Sequence, residues 1–546
     1  MKVLKLVVIS LLSTVFFISC SDEFLNLSPK VQPTPDNFLD SEEAAKKLVI
    51  ATYNPWVTNT QMYGKRFITI CDALTDDSGL RLNGSSLVQV HDWEITPTHE
   101  YPRDWWMYAY QSVNAANYAI QELTKLINDG MAESIMNPYI AEARFMRAFS
   151  YIFLVSFYGE VPLIEYPLFS LEEFSQPRAS IESIWALIES DLNFAKVNLT
   201  EDGGAYKGTP VKATAAAYLA KAYLYQQKYS DAETAAREAV SLASSEGFYL
   251  VDDYESIFSV NNEGNPELLF YLQFERNNSL WENDLPVESN VRDLPSQFQH
   301  IQGGEGWGYR IPARDLYDAF ESDDPRRGYT IYAPGDVFGI YAGTAPFTYT
   351  NKTYNEEGQE VSTKNTYNSG DTVRYDYRWS PTGMSVKKLT ENLAGLTNVR
   401  YAGLDAPLMR VADLYLILAE ALAEQGKEEA LIWVNKVRAR QSVNLPPKTT
   451  ADGTLRDIVR HERRVELAME GHRIFDLFRW NALKSVFGDG KKVKLHFFSD
   501  FLPDDNSNKY KTGIGLRKYP TDHILFPIPQ YEMDQNIAIT SNNPGY

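Results

Sequence analysis

Few residues in this chain of 546 amino acids have spacings that would support catalysis or metal binding. The run Asp504-x-Asn506-x-Asn508 begins like a calcium-binding loop, but Lys509 replaces the turn glycine and Gly515 replaces the closing glutamate. The glycines of the GGEGWG stretch lack phosphate-loop spacing, and the seven histidines show no ligand spacing. The sequence also lacks a Walker loop, an HExxH motif and a GxSxG motif. It therefore predicts no catalytic residue, no metal site and no cofactor.

The composition of the chain argues against one class of partner and leaves one class of enzyme open. The 72 acidic residues outnumber the 52 lysines and arginines, and the net charge of −20 argues against nucleic acid as a partner. So many carboxylates guarantee chance pairs. A glycoside hydrolase, which needs a carboxyl pair about 5–10 Å apart at the base of a cleft, is therefore an alternative. Aromatic residues make up 13% of the chain, so some rings must lie at the surface, where Trp and Tyr often form recognition patches.

The first residues have the pattern of an export signal. Lys2 and Lys5 precede an apolar run from Leu6 to Ile18, which is too short to cross a bilayer as a permanent helix. We therefore predict that residues 1–19 are a signal peptide whose removal leaves Cys20 first in the chain. A thiol at that position can carry a diacylglycerol, so we predict a lipoprotein that is held to the membrane through a lipid on Cys20.

A stretch near the carboxyl end, LRDIVRHERRVELAMEGHRIFDLFRW (455–480), combines many apolar and charged residues. Its apolar residues recur at helical spacing as far as Met469, and a second apolar run follows the break that Gly471 allows. Charges of both signs lie between these runs, and their ordinary interpretation is a solvated helix face with salt bridges. Because bulky apolar neighbours crowd them on both sides, we predict that several are paired at a packing seam.

Two helical hairpins have the spacing of tetratricopeptide repeats. In VKATAAAYLAKAYLYQQKYSDAETAAREAVSLA, Ala220 and Ala232 occupy positions where small side chains let two helices approach closely. The second hairpin, VADLYLILAEALAEQGKEEALIWVNKVRARQ, has Ala419 and Ala430 at the matching positions, one residue closer together. We therefore predict a mostly α fold, in which a tetratricopeptide-type helical repeat scaffold carries a large irregular, loop-rich insertion at residues 252–406.

This pattern divides the chain after the signal peptide into two domains. Residues 20–250 are predicted to form an N-terminal helical domain. Residues 251–546 are predicted to form a C-terminal domain that begins with the insertion and ends with repeat helices and a tail. Helical repeats also serve as protein-interaction surfaces, so a scaffold without a small-molecule site is a second alternative, which a flat, Trp-poor insertion would favour.

The stretch ERRVELAMEGHRIFDLFRW resembles the signature of the SusD/RagB family, outer-membrane lipoproteins that bind glycans beside a TonB-dependent transporter. Further stretches follow the family's order: the lipoprotein leader, RFMRAFSYIFLVSFYGEVPL, the repeat hairpin, GWGYRIPARDLYDAFESDDPR, APLMRVADLYLILAEALAEQGK, and LFPIP followed by NNPGY. The resemblance implies four tetratricopeptide units with an irregular second lobe. It also implies a non-catalytic, cell-surface protein that captures oligosaccharide or polysaccharide and hands it to a SusC-like transporter in the outer membrane.

The resemblance also implies that the glycan site lies on loops outside the repeats. Sugar rings have apolar C–H faces that stack on Trp and Tyr, while their hydroxyl groups bind carboxylates, amides and guanidinium groups. Loops with such residues, held by a rigid frame, precede the first long helix and occur in the insertion. The predicted site residues are Asp77, Arg81, Asn83 and Trp93 in the first loop, and Trp281, Asn283, Trp307 and Tyr309 in the insertion.

Two of the predicted tryptophans differ in their sequence setting. Trp281 stands in the polar run ERNNSLWEND, which leaves its ring without core neighbours in sequence, so it is the leading candidate for a stacking platform. Trp307 stands between glycines, which favours a tight structural turn.

Overall fold

The computed structural model describes residues 42–57, 62–81, 85–170, 173–201, 208–280, 282–355, 359–488, 493–498 and 525–546. Three predicted features lie outside these residues: the leader with Cys20, and the site residues Asn83 and Trp281. Among the residues that are described, no helix is long and apolar enough to cross a membrane.

Helices account for most of the regular structure in the described part of the chain. In order they are α1 (Glu42–Ile50), α2 (Asn54–Val57), α3 (Phe67–Ala73), α4 (Ser85–His91), α5 (Glu100–Asn128), α6 (Glu133–Tyr158), α7 (Ile181–Asn198), α8 (Lys212–Tyr225), α9 (Tyr229–Ser245), α10 (Leu285–Ser289), α11 (Arg314–Ala319), α12 (Arg326–Thr330), α13 (Val411–Glu424), α14 (Ala430–Arg438), α15 (Leu455–Glu466), α16 (Arg473–Arg479), α17 (Leu483–Phe487) and α18 (Gln530–Gln535). Short 3₁₀ turns occur at Glu255–Phe258, Ser296–Ile301 and Tyr377–Trp379.

The long helices pack in series from α5 to α15. Helix α5 packs on α6, α6 on α7, α7 on α8 and α8 on α9, and the series continues through α13 to α14 and α15. Helix α9 lies against α13 although the whole insertion separates them in sequence. The small seam residues Ala220, Ala232, Ala419 and Ala430 are fully buried. The predicted helical scaffold, interrupted by an insertion, is confirmed.

The described strands form antiparallel pairs rather than one large sheet. They are β1 (Ser78–Leu80), β2 (Val161–Pro162), β3 (Arg178–Ala179), β4 (Leu268–Leu272), β5 (Arg310–Pro312), β6 (Ile331–Tyr332), β7 (Val337–Ile340), β8 (Phe347–Tyr354), β9 (Glu360–Tyr367), β10 (Thr372–Arg374), β11 (Ser385–Val386) and β12 (Ala406–Arg410). The pairs are β1–β5, β2–β3, β4–β12, β6–β11, β7–β10 and β8–β9. The β4–β12 pair joins the two ends of the insertion, with Leu272 opposite Ala406.

Part of the insertion has a small core of its own. Phe298 and Trp379 are buried at its centre, with ring centroids 5.9 Å apart. The buried members of this core are Val291, Leu294, Phe298, Phe338, Tyr341, Tyr367, Val373, Tyr375 and Trp379. Several of the aromatic residues in the insertion therefore stabilise its folding and do not face solvent.

Charged residues of α15 are buried at the seam between the repeats and the insertion. The Glu466 carboxylate accepts a hydrogen bond from Arg326 at 2.9 Å, and it also accepts from Arg410 at 3.2 Å and Arg440 at 3.1 Å. Burial alone would raise the pKa of Glu466, but the surrounding arginine charges hold it below its ordinary value. The predicted pairing of charges at a packing seam is confirmed.

Candidate functional site

The β1–β5 pair brings the first loop and the insertion together. The backbone N–H of Arg81 donates to the carbonyl of Tyr309 at 3.1 Å, just beyond the paired strands. At the other end, the N–H of Ala313 donates to the carbonyl of Asp77 at 2.8 Å. Side chains from both segments therefore share one surface, which we call the loop face. Its residues are Arg66, Arg81, Asp293, Trp307 and Tyr309.

Trp307 is carried on a tight turn of the loop face. Gly308 has a φ of +57°, and its N–H donates to the carbonyl of Asn290 at 3.0 Å. A Cβ on Gly306 would lie 2.1 Å from that same carbonyl oxygen, so both glycines are required for the turn. The turn leaves the Trp307 ring only partly buried, with its centroid 5.7 Å from that of the Tyr309 ring. A partly exposed ring in a fixed position is suited to stacking on a ligand.

A bidentate ion pair lies beside this turn. Arg81 donates to both carboxylate oxygens of Asp293, at 2.6 and 3.0 Å. Arg292, the residue before Asp293, packs against Gly308. A Cβ added to Gly308 would lie 3.1 Å from the Cβ of Arg292. The Arg81 and Asp293 side chains are 13% and 21% exposed, so both keep contact with solvent. Charged groups already held in place can bind hydroxyl groups with little further loss of side-chain entropy.

Arg66 contributes a second guanidinium group to the loop face. Its guanidinium carbon lies 5.4 Å from the Tyr309 ring centroid, within range of a cation–π contact. It donates to the hydroxyl of Tyr101 at 2.9 Å and to Glu288 at 3.1 Å. Burial raises the pKa of Glu288 to about 7, although the Arg66 charge opposes this shift, and the Thr69 hydroxyl donates to the same carboxyl at 2.6 Å. Glu288 therefore positions Arg66 from within the core.

Two of the predicted ligand-binding groups are occupied inside the protein. Asp77 is 1% exposed, and its carboxylate accepts a hydrogen bond from Arg464 at 2.7 Å. Asn283 is fully buried; its amide donates to the carbonyl of Leu404 at 2.7 Å and accepts from the N–H of Leu285 at 3.2 Å. Both side chains are buried and bound by distant parts of the chain, so they are structural here and do not reach a ligand surface.

Trp93 also has a packing position. It is 5% exposed and lies edge-on to Phe478, with ring centroids 6.3 Å apart. Its φ of +57° lies in the left-handed region, which shows that the surrounding fold determines its backbone. The structure therefore assigns Trp93 to the core rather than to the loop face. The sequence predicts that Trp93 lies on an open, glycan-binding loop. The structure instead places Trp93 just after helix α4, which interrupts that loop.

The described residue that follows Trp281, Glu282, lies near the loop face. A Cβ on Gly64 would lie 2.5 Å from the carbonyl oxygen of Glu282, and Gly64 is close in sequence to Arg66. On the other side, Leu280 is 74% exposed. Trp281 therefore stays a predicted site residue.

The sequence patterns did not point to Arg66 or Asp293. Neither stands in a run with a recognisable motif, and Asp293 joins the site only because Arg81 reaches it from more than two hundred residues away. Asp293 is close in sequence to the Trp307 turn. This closeness becomes informative only once the pairing of β1 with β5 brings Arg81 to Asp293.

The loop face can recognise a polar ligand that also has apolar faces. It combines the partly exposed Trp307 ring with two guanidinium groups and one carboxylate, whereas the Tyr309 ring next to it is buried, at 7% exposure, and packs rather than facing solvent. In the described part of the chain, no group of three His, Cys, Asp or Glu side chains is arranged to hold a metal ion. The arrangement therefore suits binding through stacking and hydrogen bonds.

The fold is therefore that of a mostly α, helical-repeat protein whose insertion contributes to the loop face. Residues 255–546 match the family model described as "SusD family", and residues 23–224 match the one described as "Starch-binding associating with outer membrane". The chain belongs to the SusD family.

Relatives span the whole length of this chain. A SusD-like protein of Formosa agariphila, P2, is 28% identical over 100% of both chains, and a SusD-like protein of Bacteroides ovatus is 26% identical over 96% of this chain and 90% of its own. A solved structure described as a laminarin-binding SusD-like protein has a TM-score of 0.67 and 26% identity, over 92% of this chain and 99% of that one. A SusD homolog from Bacteroides thetaiotaomicron shares the fold, with a TM-score of 0.73 and 21% identity over 94% and 99% of the two chains.

Proposed function

We propose that this protein is a lipid-anchored lipoprotein of the cell surface that captures an oligosaccharide or polysaccharide on its loop face. It then passes the glycan to a SusC-like TonB-dependent transporter in the outer membrane. The observation that carries the proposal is the partly exposed Trp307 ring, held by a glycine turn beside the Arg81–Asp293 pair. The family and the laminarin-binding relative support a glycan as the ligand.

The residues of the loop face match what a sugar offers. A ring such as Trp307 can stack on the apolar face of a pyranose, which contributes on the order of 1 kcal/mol by analogy with aromatic pairs. Arg81 and Asp293 supply a donor and an acceptor for adjacent hydroxyl groups. This ring on the insertion also argues against the alternative of a scaffold without a sugar site.

The proposed role is binding without turnover. Asp293 forms an ion pair with Arg81, and the buried Glu288 forms one with Arg66. Each of these two carboxyl groups therefore already has a guanidinium partner. A glycosidase instead needs one free acid and one free base or nucleophile across the scissile bond. Incubation of the purified protein with its glycan should release no new reducing ends, and any release would favour the hydrolase alternative.

Affinity electrophoresis across a panel of polysaccharides, with laminarin first, tests the glycan site. Weak binding near the millimolar range corresponds to only about −4 kcal/mol, so the loss of one stacking ring should remove most of it. Trp307→Ala should therefore abolish retardation on the glycan that retards the wild type. Tyr249→Ala, at a ring that is 58% exposed and outside the loop face, is the matched control and should bind normally.

The outcome for Trp307→Ala must be separated from misfolding. The Trp307→Ala protein should still unfold cooperatively, at a lower melting temperature than the wild type, because the partly buried ring also packs against the core. Retained binding by a folded Trp307→Ala protein would move the site away from this ring, and Trp281→Ala would then be the next variant to examine.

The lipid anchor and the transporter have separate tests. Cys20→Ala expressed in the native host should leave the membrane fraction, since acyl chains on Cys20 would hold the wild type there. We expect the helical repeats, which offer the larger rigid surface, to contact the transporter. Purification of tagged wild type in mild detergent should recover a large barrel protein, and recovery of monomer alone would contradict this partnership.

A further inference from the structure

A second concave site lies where the insertion begins and ends, next to the β4–β12 pair. Its volume is about 520 Å³, which is within the range of small-molecule sites. Four carboxyl side chains and a single guanidinium group, that of Arg276, contribute to its lining. The carboxyl groups are those of Glu263, Glu275, Glu391 and Asp405. We call this site the acidic pocket; none of its lining residues belongs to the loop face.

Two buried carboxylate oxygens of the acidic pocket lack hydrogen-bond donors among the described residues. Asp405 is 5% exposed; its Oδ1 accepts from the N–H of Phe274 at 3.3 Å, and its Oδ2 has no partner there. Glu391 is also 5% exposed; one oxygen accepts from the N–H of Gly403 at 2.9 Å, whereas Oε1 accepts no hydrogen bond and lies 3.5 Å from Arg276 Nε. Unpaired buried acceptors are costly, and a ligand with N–H donors would satisfy them.

The carboxyl groups of the acidic pocket also repel one another. Burial and the charge of Glu263 raise the pKa of Asp405 to about 8. Glu263 keeps contact with solvent, but the protein around it and the charge of Glu391 raise its pKa to about 7. The hydroxyl of Tyr271, which faces the same carboxylates, has a pKa raised to about 12 by burial and by Asp405. A bound positive charge would relieve this repulsion.

The arrangement favours a cation that is part of a molecule over a metal ion. Across the described residues, no three carboxylate, imidazole or thiol groups converge closely enough to hold one ion. A primary ammonium group has three N–H donors that can reach acceptors on different walls, and each such bond is strengthened by charge. A neutral hydroxyl compound could fill the empty acceptors, but it would not offset the charge.

We propose that the acidic pocket binds a small molecule carrying a primary ammonium group, with Asp405 and Glu391 as hydrogen-bond acceptors and Glu263 as a further charge partner. Such a group occurs on amino sugars and on simple alkylamines. The proposal does not depend on glycan binding at the loop face.

Isothermal titration calorimetry of the purified protein at pH 8.5 tests this proposal with ethanolamine, D-glucosamine, N-acetylglucosamine and glucose. Ethanolamine should bind, and glucose and N-acetylglucosamine should not, because they lack the ammonium group. At pH 7, where the amines of both compounds are protonated, tighter binding of D-glucosamine than of ethanolamine would support an amino sugar as the ligand, and equal or weaker binding would support a simple amine. Binding of glucose as tight as that of ethanolamine would overturn the proposal, as would displacement of ethanolamine by calcium chloride.

Variants identify the acceptors. Asp405→Asn keeps the oxygen that accepts from Phe274 but removes the charge, and it should weaken ethanolamine binding by about tenfold or more, which is about 1.4 kcal/mol. Glu263→Gln changes a solvent-accessible side chain, carries little risk to folding, and should also weaken binding. Glu428→Gln, at an exposed carboxyl on the repeats, is the matched control and should bind like the wild type. Trp307→Ala should also bind ethanolamine normally, which separates this site from the loop face.

The pH dependence has a defined sign. An alkylammonium group stays charged between pH 5.5 and 8.5, as lysine side chains do. Asp405 and Glu263 take up protons over this range, beside Glu391, Glu275 and Arg276 on the same walls, so the acidic pocket loses negative charge as the pH falls. Ethanolamine should therefore bind more weakly at pH 5.5 than at pH 8.5. Unchanged affinity at the two pH values, or unchanged affinity in a folded Asp405→Asn protein, would contradict the proposal.

Discussion

At the scale of single residues, Glu142 shows how burial alone changes a carboxyl group. It lies on α6, is 5% exposed, and accepts a hydrogen bond from the Tyr53 hydroxyl at 2.7 Å. Burial raises its pKa to about 7, and the Tyr53 hydrogen bond only partly opposes this shift. The charged form of Glu142 therefore costs stability at neutral pH.

The pH dependence of stability should reveal this cost. Because the pKa of Glu142 is higher in the folded than in the unfolded chain, unfolding releases a proton between about pH 4.5 and pH 7, and this contribution to stability falls as the pH rises through that range. Glu142→Gln keeps an acceptor for Tyr53 and should be about 1–3 kcal/mol more stable than the wild type at pH 8, with a smaller difference at pH 4.5. Urea unfolding at both pH values measures this, with Glu182→Gln at an exposed site as the control. An identical gain at both pH values would show that charge is not the cause.

At the scale of elements, the seam between α8 and α9 requires small side chains. Ala232 is fully buried where these helices meet. Ala232→Leu should overpack the seam and cost about 1–3 kcal/mol, measured by thermal or denaturant unfolding. Thr234→Leu places the same side chain on the exposed side of α9 and should change stability little. Equal effects of the two substitutions would contradict the assigned repeat register.

At the scale of the whole molecule, Glu466 connects elements that are far apart in sequence. Its arginine partners come from α12, from the end of β12 and from the segment after α14, so one carboxylate joins the insertion to the repeats. Glu466→Gln would leave these guanidinium groups with less compensating charge inside the protein, which should cost about 3–5 kcal/mol.

Chemical denaturation of the Glu466→Gln protein checks this cost. Glu429→Gln, which breaks a pair whose side chains are 40% and 39% exposed, should cost at most about 1 kcal/mol. If the two variants lose similar stability, the buried pairs do not hold the insertion to the repeats in the way we infer.

The sequence by itself determined the helical scaffold of this protein. Helical periodicity and the small residues at 220 and 232 are local patterns, and a helix depends mainly on residues three and four positions apart. The same is true of the turn at Trp307, since its flanking glycines are sequence neighbours. The family of the protein could be predicted because several such local stretches occur in the order that is typical of that family.

Only the tertiary structure decided which loop residues face solvent. Asp77 and Asn283 have the residue types of a sugar site, but Arg464 and Leu404, distant in sequence, engage their side chains inside the protein. The pairing of Arg81 with Asp293 depends likewise on β1 meeting β5. Contacts of this kind join segments more than a hundred residues apart, and the local chain contains no periodic pattern that specifies them.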